Sequence, residues 1–326
     1  MAFPTDRARR LRRTAALRRL VEQTRLHPAD FVLPLFVKEG LAEPHDVTSM
    51  PGVQQHSLDS LRKTANEAVT AGVGGLILFG IPTHKDATGT QADAEDGIVQ
   101  QALRLLRADL GDSTVVMADL CLCEYTDHGH CGPLTADKST VDNDVTLMRY
   151  ASVARAQVEA GADVVAPSGM MDGQVGVIRD AIDTAGYADR TILAYASKYA
   201  SAFYGPFRDA AESTPSFGDR RSYQMNPANG DEALREVFAD LDQGADAVMV
   251  KPAGAYLDVI ARVSDVVDVP VAAYQVSGEY AMIEAAAAQG WIERERAIVE
   301  SVTSIKRAGA HTILTYWATE LALSLR

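Results

Sequence analysis

Short and almost uninterrupted apolar runs recur along this chain, and a segment with helical periodicity separates each run from the next. Apolar runs of this length are typical of parallel strands that are buried on both faces. The eight predicted strands are Phe31–Val37, Gly75–Gly80, Thr114–Leu120, Asp163–Pro167, Thr191–Ala196, Ala247–Val250, Val271–Gln275 and His311–Tyr316. Helices are predicted over residues 58–71, 97–110, 144–160, 173–185, 231–243, 256–264, 281–289 and 293–308.

Eight alternating strands and helices predict an α/β fold, a TIM (β/α)8 barrel over residues 29–326 with an extended N-terminal arm over residues 1–28. The alternative is a doubly wound open sheet, which would carry a glycine-rich phosphate turn after an early strand. Neither G-x-G-x-x-G nor a P-loop is present in the sequence. Because a barrel places its chemistry at the C-terminal ends of its strands, polar residues at those positions are candidates for a functional site.

Such polar residues follow six of the eight strands. They are Asp119, Cys121 and Cys123 at the third strand, Ser168 at the fourth, Lys198 after the fifth, Lys251 at the sixth, Ser277 after the seventh and Tyr316 at the eighth. Lysine is seldom buried without a role. In a poorly solvated pocket its amine loses a proton more easily and can attack a ketone to form a Schiff base. The alternative for each lysine is an ion pair with a barrel carboxylate.

All three cysteines of the chain lie in one short stretch after the third strand. Cys121 and Cys123 can face one point because residues two apart in an extended segment project to the same side, and a glycine-flanked loop can return Cys131 to it. Three thiolates favour a cation such as zinc and leave one coordination position open, as in catalytic zinc sites. The alternatives to a metal site are a disulfide bond or simple packing of the cysteines in the core. His128 and His130, in the same loop, are other candidate ligands for the metal.

Composition and charge argue against a membrane-spanning protein and against a nucleic-acid-binding protein. A hydrophobic fraction of 47% is enough for a large core, whereas no apolar run is long enough for a transmembrane helix. The absence of an apolar signal region and the few cysteines favour a cytoplasmic location. The net charge of −13 argues against a nucleic-acid partner, although arginines crowd the first 25 residues. We expect this basic arm to wrap an acidic neighbouring subunit, the alternatives being a nucleic-acid tail or a transit peptide.

Residues 199–229 form an unusually long connection between the fifth and sixth strands. A long loop over the catalytic face of a barrel often acts as a lid, and its arginines can bind substrate carboxylates through paired hydrogen bonds. The alternative is a solvated, charged loop. Its candidate side chains are Phe203, Tyr204, Arg208, Arg220, Arg221 and Gln224.

Six segments of the chain closely resemble one family, the porphobilinogen synthases, also called 5-aminolaevulinate dehydratases. The segments are C-L-C-E-Y-T-D-H-G-H-C-G, A-P-S-G-M-M-D-G, S-K-Y-A-S-A-F-Y-G-P-F-R, G-D-R-R-S-Y-Q-M-N-P, M-V-K-P-A and Q-V-S-G-E-Y. The resemblance extends from the arm to the last strand. It implies a hydro-lyase of haem biosynthesis that condenses two molecules of 5-aminolaevulinate asymmetrically, with loss of two waters, to the pyrrole porphobilinogen.

The resemblance also implies roles for individual residues. Lys251 would form the Schiff base with the first substrate, and Lys198 would engage the second. Asp119 and Ser168 would lie near the substrate amine and the proton transfers. The other substrate-binding residues that it implies are Arg208 and Arg220 at one carboxylate, Ser277 and Tyr316 at the other, and Phe203, Tyr204, Gln224 and Tyr274.

Metals and assembly follow from the same resemblance. Cys121, Cys123 and Cys131 match the zinc ligands of the zinc-dependent branch, whereas another branch carries aspartates at these positions. Glu236 aligns with a glutamate that holds an allosteric magnesium between subunits in some members, and Gly169 stands where some members carry aspartate. Members usually assemble as octamers through the arm, so a homo-octamer is expected.

Three other activities compete with this interpretation. Another Schiff-base barrel enzyme, of the class I aldolase type, would need one essential lysine and no metal. A zinc hydrolase would need a general base beside the zinc and would not use the lysines. A non-enzymatic protein, in which the cysteines only hold a loop, would have no turnover to lose.

Overall fold

A closed barrel of parallel strands forms the centre of the computed structural model, which describes residues 2–326. In chain order the strands are β1 Phe31–Lys38, β2 His45–Asp46, β3 Gln54–His56, β4 Gly75–Ile81, β5 Val115–Leu120, β6 Val164–Pro167, β7 Thr191–Lys198, β8 Ala247–Lys251, β9 Val271–Tyr274 and β10 Thr312–Leu314. Strands β4 to β10 pair in sequence order, and β1 closes the barrel by pairing with both β4 and β10. β3 extends the sheet beside β1, and β2 pairs antiparallel with β3.

Eleven α-helices occur in the described structure, and all but α1, which lies in the N-terminal arm, are part of or attached to the barrel. They are α1 Ala15–Leu20, α2 Leu58–Ala71, α3 Ile98–Leu110, α4 Asn143–Glu159, α5 Gln174–Thr184, α6 Gly205–Ala210, α7 Glu232–Asp242, α8 Leu257–Ser264, α9 Ser277–Ala288, α10 Arg294–Arg307 and α11 Ala318–Ser324. Their ends follow ordinary capping chemistry: at α2 the Ser57 hydroxyl accepts a hydrogen bond from the amide of Ser60, and Gly72 ends the helix at φ +90°. The apolar faces of the long helices that follow the barrel strands pack on those strands, so the barrel wall is buried on both sides.

The predicted barrel is confirmed, and the alternative of an open sheet is wrong because β1 pairs with β10. Each of the eight predicted strands is present, with ends within two residues of the prediction. The helix predicted from residue 281 instead begins at Ser277, because the Glu279 carboxylate accepts a hydrogen bond from the amide of Val276, 2.7 Å away, and stabilises an earlier first turn. The short elements α1, β2, β3, α6 and α11 lie outside the predicted strands and helices.

A bulge in β7 decides which side chains enter the barrel. Ala194 pairs with Val248 and Ser197 pairs with Val250. Three residue steps along β7 therefore lie opposite two steps along β8. In a regular strand, residues three apart point to opposite faces, but one extra residue reverses the alternation beyond it. Tyr195 and Lys198 therefore lie on the same side, with the Lys198 Nζ atom 5.6 Å from the centroid of the Tyr195 ring.

The N-terminal arm lies outside the barrel. Neither the short 3-10 helix Ala8–Arg12 nor α1 has a buried residue, and Leu20 is 73% exposed. Helix α1 is stabilised locally by the Thr14 hydroxyl, which accepts a hydrogen bond from the amide of Leu17. Within residues 2–326, every helix is too short or too polar to cross a bilayer.

Candidate active site

Two buried lysines lie side by side at the C-terminal edge of the barrel. Lys198 ends β7 and Lys251 ends β8, and the two residues are directly paired between these strands. Each is 5% exposed. Burial, together with the positive charge of Lys198, lowers the pKa of Lys251 to about 7, so that much of this amine is neutral near neutral pH.

The environment of the lysines is polar on one side and aromatic on the other. Lys198 donates a hydrogen bond to the backbone carbonyl of Ser168. Lys251 has the ring of Tyr274 4.0 Å from its Nζ atom. Neither ammonium group has a carboxylate oxygen within 4.0 Å in the described part of the chain, so the alternative of an ion pair is not observed.

Asp119, in β5, brings a carboxyl group to the same edge. One of its oxygens accepts a hydrogen bond from the Ser168 hydroxyl at 3.1 Å, whereas the other has no partner among residues 2–326. Burial and the nearby Glu124 raise the pKa of Asp119 to about 7, against the opposing effect of the lysine charges. A carboxyl group with this pKa can both accept and donate a proton near neutral pH.

The three cysteines converge after β5. Their sulfur atoms all lie within 4.8 Å of one another, and the thiols are buried and free. Thiolates at zinc–sulfur distances of about 2.3 Å in a tetrahedral site lie roughly 3.8 Å apart, so this cluster fits zinc. The 3.4 Å between the sulfurs of Cys121 and Cys123 is much longer than a disulfide bond, so the disulfide alternative is not observed.

The buried thiols of the cluster differ in acidity. Burial raises the pKa of Cys121, whereas hydrogen bonds from Cys121 and Cys123 lower the pKa of Cys131. One sulfur is thereby favoured as a thiolate inside an otherwise buried site. Thiolates are the form in which cysteine binds metal ions.

A tyrosine and a glycine hold the third cysteine in place. The hydroxyl of Tyr150, from α4, donates a 2.7 Å hydrogen bond to the carbonyl of Cys131. Tyr150 reaches this carbonyl across Gly169, where an added Cβ atom would lie 1.7 Å from the Tyr150 oxygen. The glycine at position 169 is therefore needed for this arrangement of the cysteine loop.

The two histidines of the cysteine loop contact other groups. His130 is within hydrogen-bonding distance of the Tyr223 hydroxyl, 3.0 Å, and the Phe217 carbonyl, 3.1 Å. The Nε2 atom of His128 lies 3.3 Å from the carbonyl of Ala87. The structure does not bring either ring into the cysteine cluster. His130 instead joins the cysteine loop to residues 199–229.

Residues 199–229 fold over the cysteine loop and carry two adjacent arginines. Arg220 is buried and donates hydrogen bonds to the carbonyls of Gly129, 2.9 Å, and Ser213, 2.8 Å. Arg208 is half-buried, and burial together with Arg220 lowers its pKa. In both guanidinium groups the Nε atom lacks a hydrogen-bond partner within residues 2–326. Two neighbouring guanidinium groups with free donors suit an anionic ligand.

The residues implied for the second carboxylate lie near Tyr274, whose ring contacts Lys251. The hydroxyl groups of Tyr316 and Tyr274 are 3.2 Å apart. Ser277 accepts a hydrogen bond from the amide of Phe207 at 2.9 Å and lies 3.3 Å from the carbonyl of Phe203, so it also fixes the start of residues 199–229. Tyr204 donates a hydrogen bond to the carbonyl of Lys251. Gln224 is buried, has an unpartnered Nε2 atom in the described structure, and lines a cavity together with Glu236.

Glu236 is not brought to the lysines. It lies half-buried on α7 and lines a separate cavity of about 380 Å³ with Asp172 and Glu232. Burial and the charge of Asp172 raise the pKa of Glu236. Four residues that sequence reasoning missed complete the arrangement: Tyr150 and Tyr223 support the cysteine loop, and Tyr195 and Phe207 contact Lys251. Tyr195, Phe207 and Tyr223 lie beside or within the quoted segments, whereas Tyr150 lies in a helix between two of them and had no such signal.

Comparison with known proteins agrees with this geometry. A sequence model of the family described as delta-aminolevulinic acid dehydratase matches residues 5–324. The delta-aminolevulinic acid dehydratase of Streptomyces coelicolor is 62% identical over 100% of this chain and 98% of its own length, and that of Mycobacterium tuberculosis is 61% identical over 98% of each. The crystal structure of the Toxoplasma gondii enzyme, in complex with its reaction product porphobilinogen, superposes with a TM-score of 0.94 at 39% identity, covering 97% of this chain and 90% of that one. The chain belongs to the delta-aminolevulinic acid dehydratase family.

Proposed function

We propose that this protein is a porphobilinogen synthase, which condenses two molecules of 5-aminolaevulinate to porphobilinogen with loss of two waters. The observation that carries the proposal is the directly paired, buried lysines at the ends of β7 and β8, in a chain of this family. Support also comes from the Toxoplasma gondii relative, whose structure contains porphobilinogen. The product requires that two identical keto acids be held in different orientations, and the site has distinct groups on its two sides.

Lys251 is proposed to be the nucleophile. Its pKa of about 7 provides neutral amine near neutral pH, and the amine adds to the ketone carbon of the first substrate. Loss of water from the adduct, with uptake of one proton, gives a protonated imine. This group withdraws electrons from the adjacent carbon, which makes a proton on that carbon acidic. Lys198 is proposed to engage the second substrate, whose ketone would lie beside the first because the two lysines are paired.

Asp119 and Ser168 are proposed to move protons between the two substrates. Their side chains are joined by a hydrogen bond at the edge where both lysines end. A carboxyl with a pKa near 7 can take a proton from the substrate ammonium group or from the activated carbon and return it to a departing hydroxyl. The unpartnered oxygen of Asp119 is free for this contact in the described structure.

Cys121, Cys123 and Cys131 are proposed to hold zinc. Their mutual distances, burial and thiol chemistry support this ion. When bound, zinc would supply Lewis-acid activation of a substrate oxygen. Glu236 is proposed to contribute to an allosteric magnesium site, supported by the carboxylates of Asp172 and Glu232 that share its cavity.

The two substrate carboxylates are proposed to bind on opposite sides of the lysines. Arg208 and Arg220 would bind one carboxylate through the free donors of their guanidinium groups. Ser277 and Tyr316 would bind the other through their hydroxyl groups. Phe203, Tyr204, Gln224 and Tyr274 would complete the walls of the site. Residues 199–229 would act as a lid, since they carry one pair of binding groups and lie over the cysteine loop.

The arm is proposed to assemble the protein into a homo-octamer. The support is its exposure: the arm buries none of its helical residues against its own barrel, while Phe3 and Leu20 are 75% and 73% exposed. Apolar side chains so exposed are stabilised by contact with another chain. The three free thiols support a cytoplasmic location, where thiols remain reduced.

Reduction with borohydride in the presence of 5-aminolaevulinate tests the proposal directly. We expect a covalent adduct on Lys251, alone or with Lys198, identified by peptide mass spectrometry, and porphobilinogen formation by the unreduced enzyme. Lys251→Met, with an unbranched side chain of similar length, is the matched control and should give no adduct at position 251 and no product. Zinc-loaded, folded protein without an adduct on either lysine would refute the proposal. An adduct without any pyrrole product would favour a class I aldolase type of activity.

A further inference from the structure

Tyr195 is a buried residue that the reaction scheme above does not use. It is fully inaccessible to solvent, and the bulge in β7 turns it to the same side as Lys198. Its hydroxyl makes no hydrogen bond within 3.5 Å in residues 2–326, but burial and the nearby Asp119 carboxyl raise the pKa of Tyr195. The hydroxyl and the ring therefore have different neighbours: the hydroxyl interacts with Asp119, whereas the ring contacts the lysines.

The ring of Tyr195 is part of an aromatic cage around Lys251. Four ring centroids lie within 6 Å of the Lys251 Nζ atom: Tyr274 at 4.0 Å, Tyr195 at 4.9 Å, Phe207 at 5.2 Å and Tyr204 at 5.7 Å. The face of an aromatic ring carries negative charge density and attracts a cation at such distances, most strongly where water is excluded. This environment favours positive charge on the nitrogen of Lys251.

Tyr195 differs from the other three rings because it also contacts the second lysine. Its centroid is 5.6 Å from the Lys198 Nζ atom, the single such contact of Lys198 in the part of the chain that the structure describes. The ring therefore lies against both nitrogens. Burial and mutual repulsion both disfavour positive charge on the two nitrogens, and the ring opposes this effect at both of them.

We propose that Tyr195 is a positioning residue whose ring stabilises positive charge on the nitrogen of Lys251, and so favours the protonated imine over the neutral imine. The inference rests on the proposed function. The neutral amine, the ketone and one proton give a protonated imine and one water, so the positive charge resides on the lysine nitrogen at the point where the imine must withdraw electrons. Ring faces stabilise the cation without accepting its proton. A carboxylate beside the nitrogen would also stabilise the cation, but it would compete for the proton.

Other charged and titratable groups also act on Lys251, and a test must separate the ring from them. They are Lys198, Asp119, Cys123 and Glu124, with the phenols of Tyr204 and Tyr274. Of these groups, Asp119 also interacts with the hydroxyl of Tyr195, so a variant that lacks the hydroxyl changes the surroundings of this carboxyl. The effect of the ring is therefore measured as the difference between two variants that both lack the hydroxyl, in the zinc-loaded protein.

Tyr195→Phe and Tyr195→Leu form a matched pair, since the first keeps the ring and the second removes it. We expect Tyr195→Phe to keep kcat within about twofold and Tyr195→Leu to lose roughly tenfold in kcat, with a smaller change in KM, because a desolvated cation–π contact is worth about that factor. Borohydride trapping with 5-aminolaevulinate should fall in parallel. A Tyr195→Phe variant as impaired as Tyr195→Leu would place the role in the hydroxyl and overturn the proposal.

Ring fluorination separates charge stabilisation from packing, and it applies even where Tyr195→Leu fails to fold. Phenylalanine analogues with increasing fluorine content at position 195 keep the shape of the ring and weaken its attraction for a cation. We expect kcat and the trapped fraction to decrease stepwise along the series. Constant values along the series would overturn the proposal. Failure of the unsubstituted protein to form an adduct or porphobilinogen would instead refute the proposed function.

Discussion

Replacing Lys198 by methionine removes one positive charge beside Lys251 and keeps an unbranched side chain in the barrel. The two ammonium nitrogens lie 5.6 and 4.9 Å from the same ring centroid, so they are at most 10.5 Å apart. At an effective dielectric constant of about 20, their repulsion is then at least about 1.6 kcal/mol. Removing it should raise the pKa of Lys251, which is about 7 in the intact site, by at least about one.

A higher pKa means that the Lys251 amine becomes neutral only at higher pH. We therefore expect the acid limb of the pH dependence of Schiff-base formation to move upward by about one pH unit or more in Lys198→Met. The assay is the initial rate of borohydride-trapped adduct on Lys251 with 5-aminolaevulinate, measured by mass spectrometry across the neutral range. Lys198→Arg keeps the charge and is the control, with a midpoint near that of the unsubstituted protein. An unchanged or lower midpoint in Lys198→Met would refute the electrostatic reasoning.

Three further changes test the parts that surround the lysines. Gly169→Ala should displace Tyr150, lower the free energy of unfolding by about 1–3 kcal/mol and reduce zinc content. Gly205→Ala is the control and should keep its zinc, because an added Cβ at position 205 meets nothing within 4 Å. Equal zinc content in the two variants would contradict the packing argument. Cys123→Ala should lower zinc content and turnover together, measured by metal analysis and pyrrole formation, and full turnover without zinc would exclude a catalytic metal. Deleting residues 2–25 should shift the assembly to smaller particles in size-exclusion chromatography with light scattering, and an unchanged mass would exclude the arm from assembly.

The barrel could be predicted because its signal is local. Each strand is a short apolar run, and each is followed by a helix that a glycine or a polar cap ends, so the alternation is visible without any long-range contact. The lysines and cysteines could be located for the same reason, because parallel strands bring their C-terminal ends to one edge. Only the closing pair between β1 and β10 required the structure.

The parts of the site that could not be predicted depend on distant partners or on broken periodicity. Tyr195 lies at an odd spacing from Lys198, and alternation alone would place it on the opposite face; the bulge that reverses this is not encoded in an apolar pattern. His130 was considered a metal ligand, but its partners Phe217 and Tyr223 are 87 and 93 positions away. Such contacts form only when residues 199–229 fold over the cysteine loop, so sequence spacing carries no signal for them.

The hydrogen bonds that join the cysteine loop to residues 199–229 have a thermodynamic consequence. His130 contacts Tyr223, and Arg220 contacts the carbonyl of Gly129, so ordering either segment favours order in the other. Binding of the proposed cation to the cysteines would then change the binding free energy of the proposed carboxylate at the arginines, and the reverse effect would have the same size. The factor by which the metal tightens substrate binding must equal the factor by which substrate tightens metal binding. Substrate would therefore protect the protein against loss of the proposed zinc to a chelator, and depletion of that zinc would first be seen as weaker substrate affinity.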